Sequence, residues 1–168
     1  MSAEQVLGPR DGEALQISPA LGVRFMIEGA RTDGAFALIE HPLAPRGLGS
    51  PLHRHSREDE YSYVLEGRVG VQLGDEVVEA GPGELVSKPR GQWHAFWNPG
   101  EEPARLLEVI SPAGFEEYFR ELAPILAPVR EGTGPPDVAA LAAVWEKYGL
   151  EMDPASQDEL RQRHSLTR

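Results

Sequence analysis

Between Leu15 and Ser111 the chain never runs far without a glycine, proline or aspartate, and short apolar segments sit between these breaks. Eighteen glycines and fifteen prolines in 168 residues punctuate the chain too often for long helices there, because Gly and Pro interrupt helix interiors. "VRFMIEG" and "GAFALIEHPL" flank the turn-like "GARTDG", and "EYSYVLEG" is followed by "RVGVQLGDEVVEAGPGE", in which "LGDE" reads as a hairpin. "ELVSKP", "WHAFWN" and "ARLLEVIS" complete the set. Closely spaced strands with turn residues between them predict an all-β sandwich or barrel.

The pattern changes after Ser111. "SPAGFEEYFRELAPIL" predicts a helix with Ser111 as N-cap and Pro112 in the first helical position. Phe115, Tyr118, Phe119 and Leu122 recur there at helical spacing. A second helix follows "GTGPP", with Val138, Leu141, Trp145 and Tyr148 on one face and Gly149 as a C-terminal cap. These aromatic stripes are expected to pack the helices onto the sheet, with lining of a pocket as the alternative. The last stretch, "ASQDELRQRHSLTR", reads as a polar, frayed tail. The chain thus divides into residues 1–111, the β-rich part, and 112–168, a helical extension and tail of the same domain.

Composition narrows the chemistry. With no cysteine, disulfides, thiolate metal sites and cysteine nucleophiles are excluded, and any metal must be held by histidine, carboxylate, carbonyl or water. The formal net charge of −11 and the lack of a Lys/Arg cluster argue against nucleic acid as a partner. No apolar run is long enough to cross a membrane. The opening "MSAEQVLGPRDGEALQ" does not read as a secretory signal, so a cytoplasmic location is expected.

Two of the five histidines, His53 and His55, are one residue apart. In an extended chain both side chains share a face, which suits a divalent metal if both rings are neutral. Glu60 has the opposite parity, so the charged "SREDE" must bend or bulge for all three to converge. Glu58 and Asp59 are rival carboxylates. Glu60 is preferred because it sits where a strand resumes, while the other two fit a solvated turn. In "GELVSKPRGQWHAFWN", "PRG" reads as a turn, and His94 follows in a strand-like stretch. His41, just before Pro42, reads as a surface histidine, with a supporting role behind the ligands as the alternative. His164 falls in the tail and is assigned nothing.

Gly47, His53, His55, Glu60 and Gly67 resemble the first motif of the cupin superfamily, and Gly83, Pro89, Gly91, His94 and Asn98 resemble its second. The short interval between them, Arg68 to Pro82, is similar to that of compact single-domain members. "VISPAGFEEYFRELA" is similar to the tail of small cupins grouped with quercetin-dioxygenase-like proteins. The resemblance implies a jelly-roll β-barrel (a double-stranded β-helix), with the C-terminal α-helices packed outside. It implies a metal inside the barrel, held by His53, His55, Glu60 and His94.

Three histidines and one glutamate leave about two positions open on a six-coordinate ion, and open positions are what catalysis needs. One divalent transition metal is expected: Fe, Mn, Ni, Co, Cu or Zn. A site charge near +1 favours an anionic ligand. If Glu60 and His94 face inward, Ser62, Val64 and Phe96 follow by parity, and Phe36 and Leu38 share one face of an earlier strand. These five form the expected substrate wall. The leading expectation is a dioxygenase-type oxygenase acting on a small aromatic or enolic molecule, with Glu60 as ligand and also as base. The alternatives are a redox-neutral isomerase, lyase or hydrolase using the same site, and a non-enzymatic module that binds a small ligand. A homodimer is expected.

Overall fold

The computed structural model describes residues 6–167. The first five residues of the opening segment, read above for a secretory signal, lie outside that range, as does Arg168.

Ten strands precede the first α-helix: β1 (Ala14–Gln16), β2 (Gly22–Ile27), β3 (Ala37–Leu43), β4 (Leu48–His55), β5 (Asp59–Glu66), β6 (Val69–Leu73), β7 (Glu76–Ala80), β8 (Leu85–Lys88), β9 (His94–Trp97) and β10 (Ala104–Ser111). Then come α1 (Glu116–Arg130), α2 (Val138–Tyr148), β11 (Leu150–Asp153) and α3 (Ser156–His164). Two antiparallel sheets face each other. One has the order β1-β2-β3-β10-β5-β8, the other β11-β4-β9-β6-β7. This is a β-sandwich of two antiparallel sheets with C-terminal helices, as the resemblance implies. The "LGDE" hairpin joins β6 to β7, with Leu73 opposite Glu76.

Strand alternation builds the interior. On β5, Glu60, Ser62 and Val64 are buried while Tyr61 and Tyr63 are exposed. On β10, between β3 and β5, Ala104, Leu106, Glu108 and Ile110 form the buried set. On β3 the inward set is Ala37, Ile39, His41 and Leu43. Phe36 and Leu38 therefore carry the outward parity, opposite to the expectation, and are only half-buried. The strand also buries a charge on its outer face, where Glu40 is held by Arg24 at 2.6 Å and Arg105 at 3.0 Å. A buried Glu on the outside and a buried His on the inside disguise the apolar alternation that parity reasoning relies on.

The expected frayed tail is folded. Helix α3 lies against the outer face of the second sheet, where Ala95 and Trp97 of β9 form a small core with Leu48 and Leu160. The His164 ring stacks on Trp97 at 4.0 Å between centroids. Few apolar residues mark this helix, so its stability comes from covering Trp97 and not from its own amphipathic pattern. Leu160→Ala is expected to lower unfolding free energy by about 2–4 kcal/mol, the cost of a buried Leu truncation. Urea denaturation checks it, and a change under about 0.5 kcal/mol, the range of a surface substitution, would show that α3 does not depend on that core.

Helix α1 starts four residues later than expected. Ser111 ends β10 and its hydroxyl donates to the Ala35 carbonyl at 2.9 Å. The buried Glu116 carboxylate instead accepts from the N–H groups of Gly114 at 2.6 Å and Gly29 at 2.9 Å. Helix α2 has Asp137 accepting from the Ala140 N–H. It ends at Gly149, whose φ of 63° is one that glycine adopts without strain. Val138, expected on the packed face of α2, is 73% exposed. β11 then pairs with β4, Met152 opposite His53; four residues with a mixed pattern gave no strand signal. Among the described residues no helix is long and apolar enough to cross a membrane.

Candidate metal centre

His53 and His55 sit on β4 with their side chains inward, and His94 opens β9 directly opposite His53. All three belong to one sheet. Glu60 belongs to β5 in the facing sheet. The bend falls at Ser56–Arg57, where the chain leaves one sheet for the other, and this crossing resolves the parity conflict. The four ligand atoms of His53, His55, Glu60 and His94 lie within 4.8 Å of one another, and all four residues are buried.

The second motif is fastened to the first. Gly91, at φ 79°, donates its N–H to the His55 carbonyl at 2.7 Å. Arg90 clasps Asp59 through its backbone N–H at 2.8 Å and its guanidinium at 2.8 Å, which holds the Asp59 carboxyl down at about 2. Asn98 is buried and structural: it donates to the carbonyls of Ala44 and Glu102 and accepts from the Gly100 N–H.

The histidines are oriented from behind. The Nδ1 of His53 lies 2.9 Å from the Pro51 carbonyl, and that of His94 lies 3.0 Å from the Gln92 carbonyl. A carbonyl only accepts, so both Nδ1 atoms carry the proton and both Nε2 atoms present lone pairs. His94 Nε2 is 3.2 Å and His55 Nε2 3.4 Å from Glu60 oxygens. Neither nitrogen of His55, nor Nε2 of His94, has a hydrogen-bond partner, although all three are buried. Glu58, expected in a solvated turn, is buried with Oε2 3.6 Å from His55 Nδ1. Burial, and then the neighbouring His94 and His55, push His53 well below its ordinary pKa; burial lowers His94 too. Neutral imidazole nitrogens pointed at one another and at a carboxylate are unfavourable as they stand, and a cation between them satisfies all four. The residues fit a divalent transition metal.

A charged group that sequence reasoning missed lies behind Glu60. Lys88 Nζ is 3.0 Å from Glu60 Oε2 and 2.9 Å from Glu108 Oε2, and both its partners and its own ammonium are buried. Ser62 also donates to Glu108 Oε2 at 2.8 Å, while Glu108 Oε1 has no partner. Burial works against charge on Glu60, but His55 and Lys88 hold it well below its ordinary value. Burial raises Glu108 to about 7, against the pull of Lys88. The signal for both missed residues was parity: Lys88 shares the buried face of β8 with Val86, and Glu108 that of β10 with Leu106 and Ile110.

A cavity of about 650 Å³ opens beside this cluster, with His53, Glu60, Lys88 and Glu108 in its wall. Phe96, one of the five expected wall residues, lines it. Ser62 supports Glu108 from behind and Val64 belongs to the apolar core. Phe36 and Leu38 do not line it; His41 does, from the inward positions of β3. The helices contribute Phe115, Tyr118, Phe119 and Leu122 of α1 and its approach, and Trp145 of α2, to the wall. The helical aromatics thus pack on the sheet and also roof the cavity.

The chain matches the family described as Cupin domain over residues 40–110. The polyketide cyclase RemF from Streptomyces resistomycificus is similar in structure, with a TM-score of 0.55 and 31% identity, over 65% of this chain and 80% of RemF. The chain belongs to the cupin superfamily. Over 81 residues this cupin is also 38% identical to the tetracenomycin polyketide synthase protein TcmJ of Streptomyces glaucescens, covering 48% of this chain and 52% of TcmJ. It is 30% identical over 87 residues to the probable oxidoreductase virH of Hypocrea virens, covering 49% of this chain and 40% of virH. The cupin therefore spans about half the length of TcmJ and less of virH.

His41 gives the site an acid limit. Burial lowers it to about 4, against an ordinary 6.5. Above pH 6.5 the ring is neutral in both folded and unfolded chains. Between 6.5 and 4 the unfolded chain takes up the proton and the folded chain does not, so stability falls as pH falls, by about 3 kcal/mol in all. Urea denaturation of wild type and His41→Gln across this range is expected to show a steeper loss in wild type. Parallel curves would mean that His41 titrates normally.

Proposed function

We propose that this cupin is a metal-dependent enzyme that takes a planar enolic or phenolic substrate and activates it without net oxidation, as in an aldol-type ring closure or a tautomerisation. One observation carries the reading: a buried three-histidine, one-glutamate donor set, two of whose members, His53 and Glu60, line a cavity whose other walls are mainly aromatic and aliphatic. A divalent metal held by His53, His55, Glu60 and His94 would supply Lewis-acid polarisation of a substrate oxygen. The names of TcmJ and RemF, which concern polyketide assembly and cyclisation, support a substrate of alternating carbonyl and methylene groups.

The chain's own residues would do the rest. Phe96, Phe115 and Phe119 exclude water and hold a flat molecule by its faces. Lys88 occupies one oxygen of Glu60, and the other would be left for a bound metal. With both oxygens engaged, Glu60 acts as a ligand and not as the base. Glu108, with one oxygen unpartnered in the cavity wall and burial holding it near neutrality, is the better group to hold or release a proton there.

The oxygenase reading is the second. The oxidoreductase name of virH and the resemblance to quercetin-dioxygenase-like proteins support it. One measurement separates the two: turnover of a panel of 1,3-diketones and catechols by protein loaded with Zn or with Fe, with oxygen uptake recorded. Turnover with Zn under argon supports the redox-neutral reading. Oxygen uptake with Fe and none of the panel consumed with Zn overturns it in favour of the oxygenase. Tight binding of the panel with no turnover over hours leaves a ligand-binding module.

We also propose a homodimer. Tyr63 and Leu85 are cross-strand partners on β5 and the edge strand β8, and with Tyr61 they are 40%, 56% and 37% exposed. Sedimentation at micromolar concentration is expected to give twice the chain mass, and a monomer there removes the proposal.

A further inference from the structure

His41 is a buried ionisable group of the cavity wall that stands apart from both the candidate ligands and the Lys88–Glu108 pair behind them. It is 2% exposed, on β3, with Ile39 and Leu43 as its neighbours of like parity. Its Nδ1 lies 3.0 Å from the Gly22 carbonyl. That carbonyl has only lone pairs to offer, so Nδ1 bears the hydrogen and the tautomer is set. Nε2 then carries a lone pair; the ring's hydrogen bond runs through Nδ1, and Nε2, unlike that of His55 or His94, is not among the buried atoms shut off without a partner, which leaves it open to the cavity that His41 lines. The ring sits between Phe96 at 5.7 Å and Phe119 at 5.3 Å, tilted 43° and 70° to them. Phe96 carries the Lys88 ammonium 5.2 Å from its centroid, so His41 and the Glu60 end of the cavity flank one ring. Burial keeps the imidazole neutral at pH 7.

A neutral acceptor in an aromatic slot selects for a donor. An acceptor that a bound molecule covers without offering a hydrogen loses its water and gains nothing, whereas one that receives a hydroxyl is satisfied. A site built around such a bond rejects analogues that lack the hydrogen far more strongly than an apolar pocket rejects a change of size. A lysine ammonium would not do the same, because it only donates.

We propose that His41 is a specificity-determining residue whose Nε2 accepts a hydrogen bond from the hydroxyl of a planar phenol or enol lying along Phe96 and Phe119. The role deepens the reading of this cavity as a site for such molecules, and it does not require the metal to be bound. No covalent bond changes in this contact.

The test uses two probes of one shape, 1-naphthol and 1-methoxynaphthalene, titrated by fluorescence into metal-free and Zn-loaded wild type. Naphthol is expected to bind about tenfold tighter than its ether, the ratio that one net hydrogen bond supplies. Long-range ¹H–¹⁵N spectra are expected to show His41 protonated on Nδ1, with the Nε2 resonance moving on addition of naphthol and not of the ether. His41→Phe should bind both probes alike, and His41→Gln, whose amide oxygen also accepts, should recover part of the preference. Equal affinities in wild type, a preference that survives in His41→Phe, or a hydrogen on Nε2 would overturn the role of His41. If neither probe binds wild type, the reading of the cavity as a site for planar aromatics falls with it. If both bind without preference, that reading stands and only the role of His41 falls.

Discussion

His94→Ala is expected to leave the protein unable to hold its metal while the sandwich still folds. His94 faces His53 across the β4–β9 pairing, and its Nε2 is one of three imidazole donors that the facing Glu60 completes. A ligand that binds only the folded state stabilises it by about 4 kcal/mol when present at about 1,000 times its dissociation constant. Wild type should therefore gain thermal stability on addition of Zn or Mn, and His94→Ala should gain almost none. Elemental analysis of both proteins after dialysis gives the second readout. Equal metal content in wild type and variant would refute the assignment of His94 as a ligand. The metal-free variant should be no less stable than metal-free wild type, because truncation removes one of the mutually opposed lone pairs of the cluster.

Lys88→Met should have the opposite signature, a large loss in the metal-free protein. Lys88 Nζ bridges Glu60 and Glu108, and all three side chains are at most 7% exposed. Removing the cation leaves two buried carboxylates facing one another, and breaking a buried ion pair in this way costs about 3–5 kcal/mol. The double variant Lys88→Met, Glu108→Leu should recover much of that loss, because it removes the stranded partner as well. Metal should restore part of the stability of the single variant by neutralising Glu60. Its affinity should nonetheless fall by about 10- to 100-fold, the usual cost of losing a group that orients a ligand. Urea denaturation with and without metal reads all of these. A loss below about 1 kcal/mol in Lys88→Met would mean that Glu60 and Glu108 share a proton instead, and that the lysine does not hold them apart.

The four candidate ligands were legible because metal chemistry leaves a pattern of rare residues at fixed spacing, and His53, His55, Glu60 and His94 stand out from a background of strand and turn residues. The surroundings of the ligands were less legible. Lys88 and Glu108 occupy inward positions of β8 and β10, where a charge looks like an error in an apolar alternation until its partner on another strand is seen. The apolar residues of this segment suggest that Phe36 and Leu38 face the wall, whereas β3 turns Ala37 and His41 inward and shields Glu40 with two arginines. Helix α3 was hidden because its reason for existing, the outward-facing Trp97 that it buries, lies some sixty residues earlier.

By itself the sequence determined the class of the protein. Gly and Pro set the strand lengths, alternation set which side of most strands is buried, and two spaced motifs named the residues that can meet around a cation. Those properties are local, and each can be read from a few neighbouring positions. Only the tertiary structure decided that Glu60 meets the histidines by crossing to the facing sheet, that Lys88 and Glu108 stand behind it, and that His41 looks into an aromatic cavity roofed by helices. Each of these depends on which strand lies opposite which, and that is settled by the packing of two whole sheets.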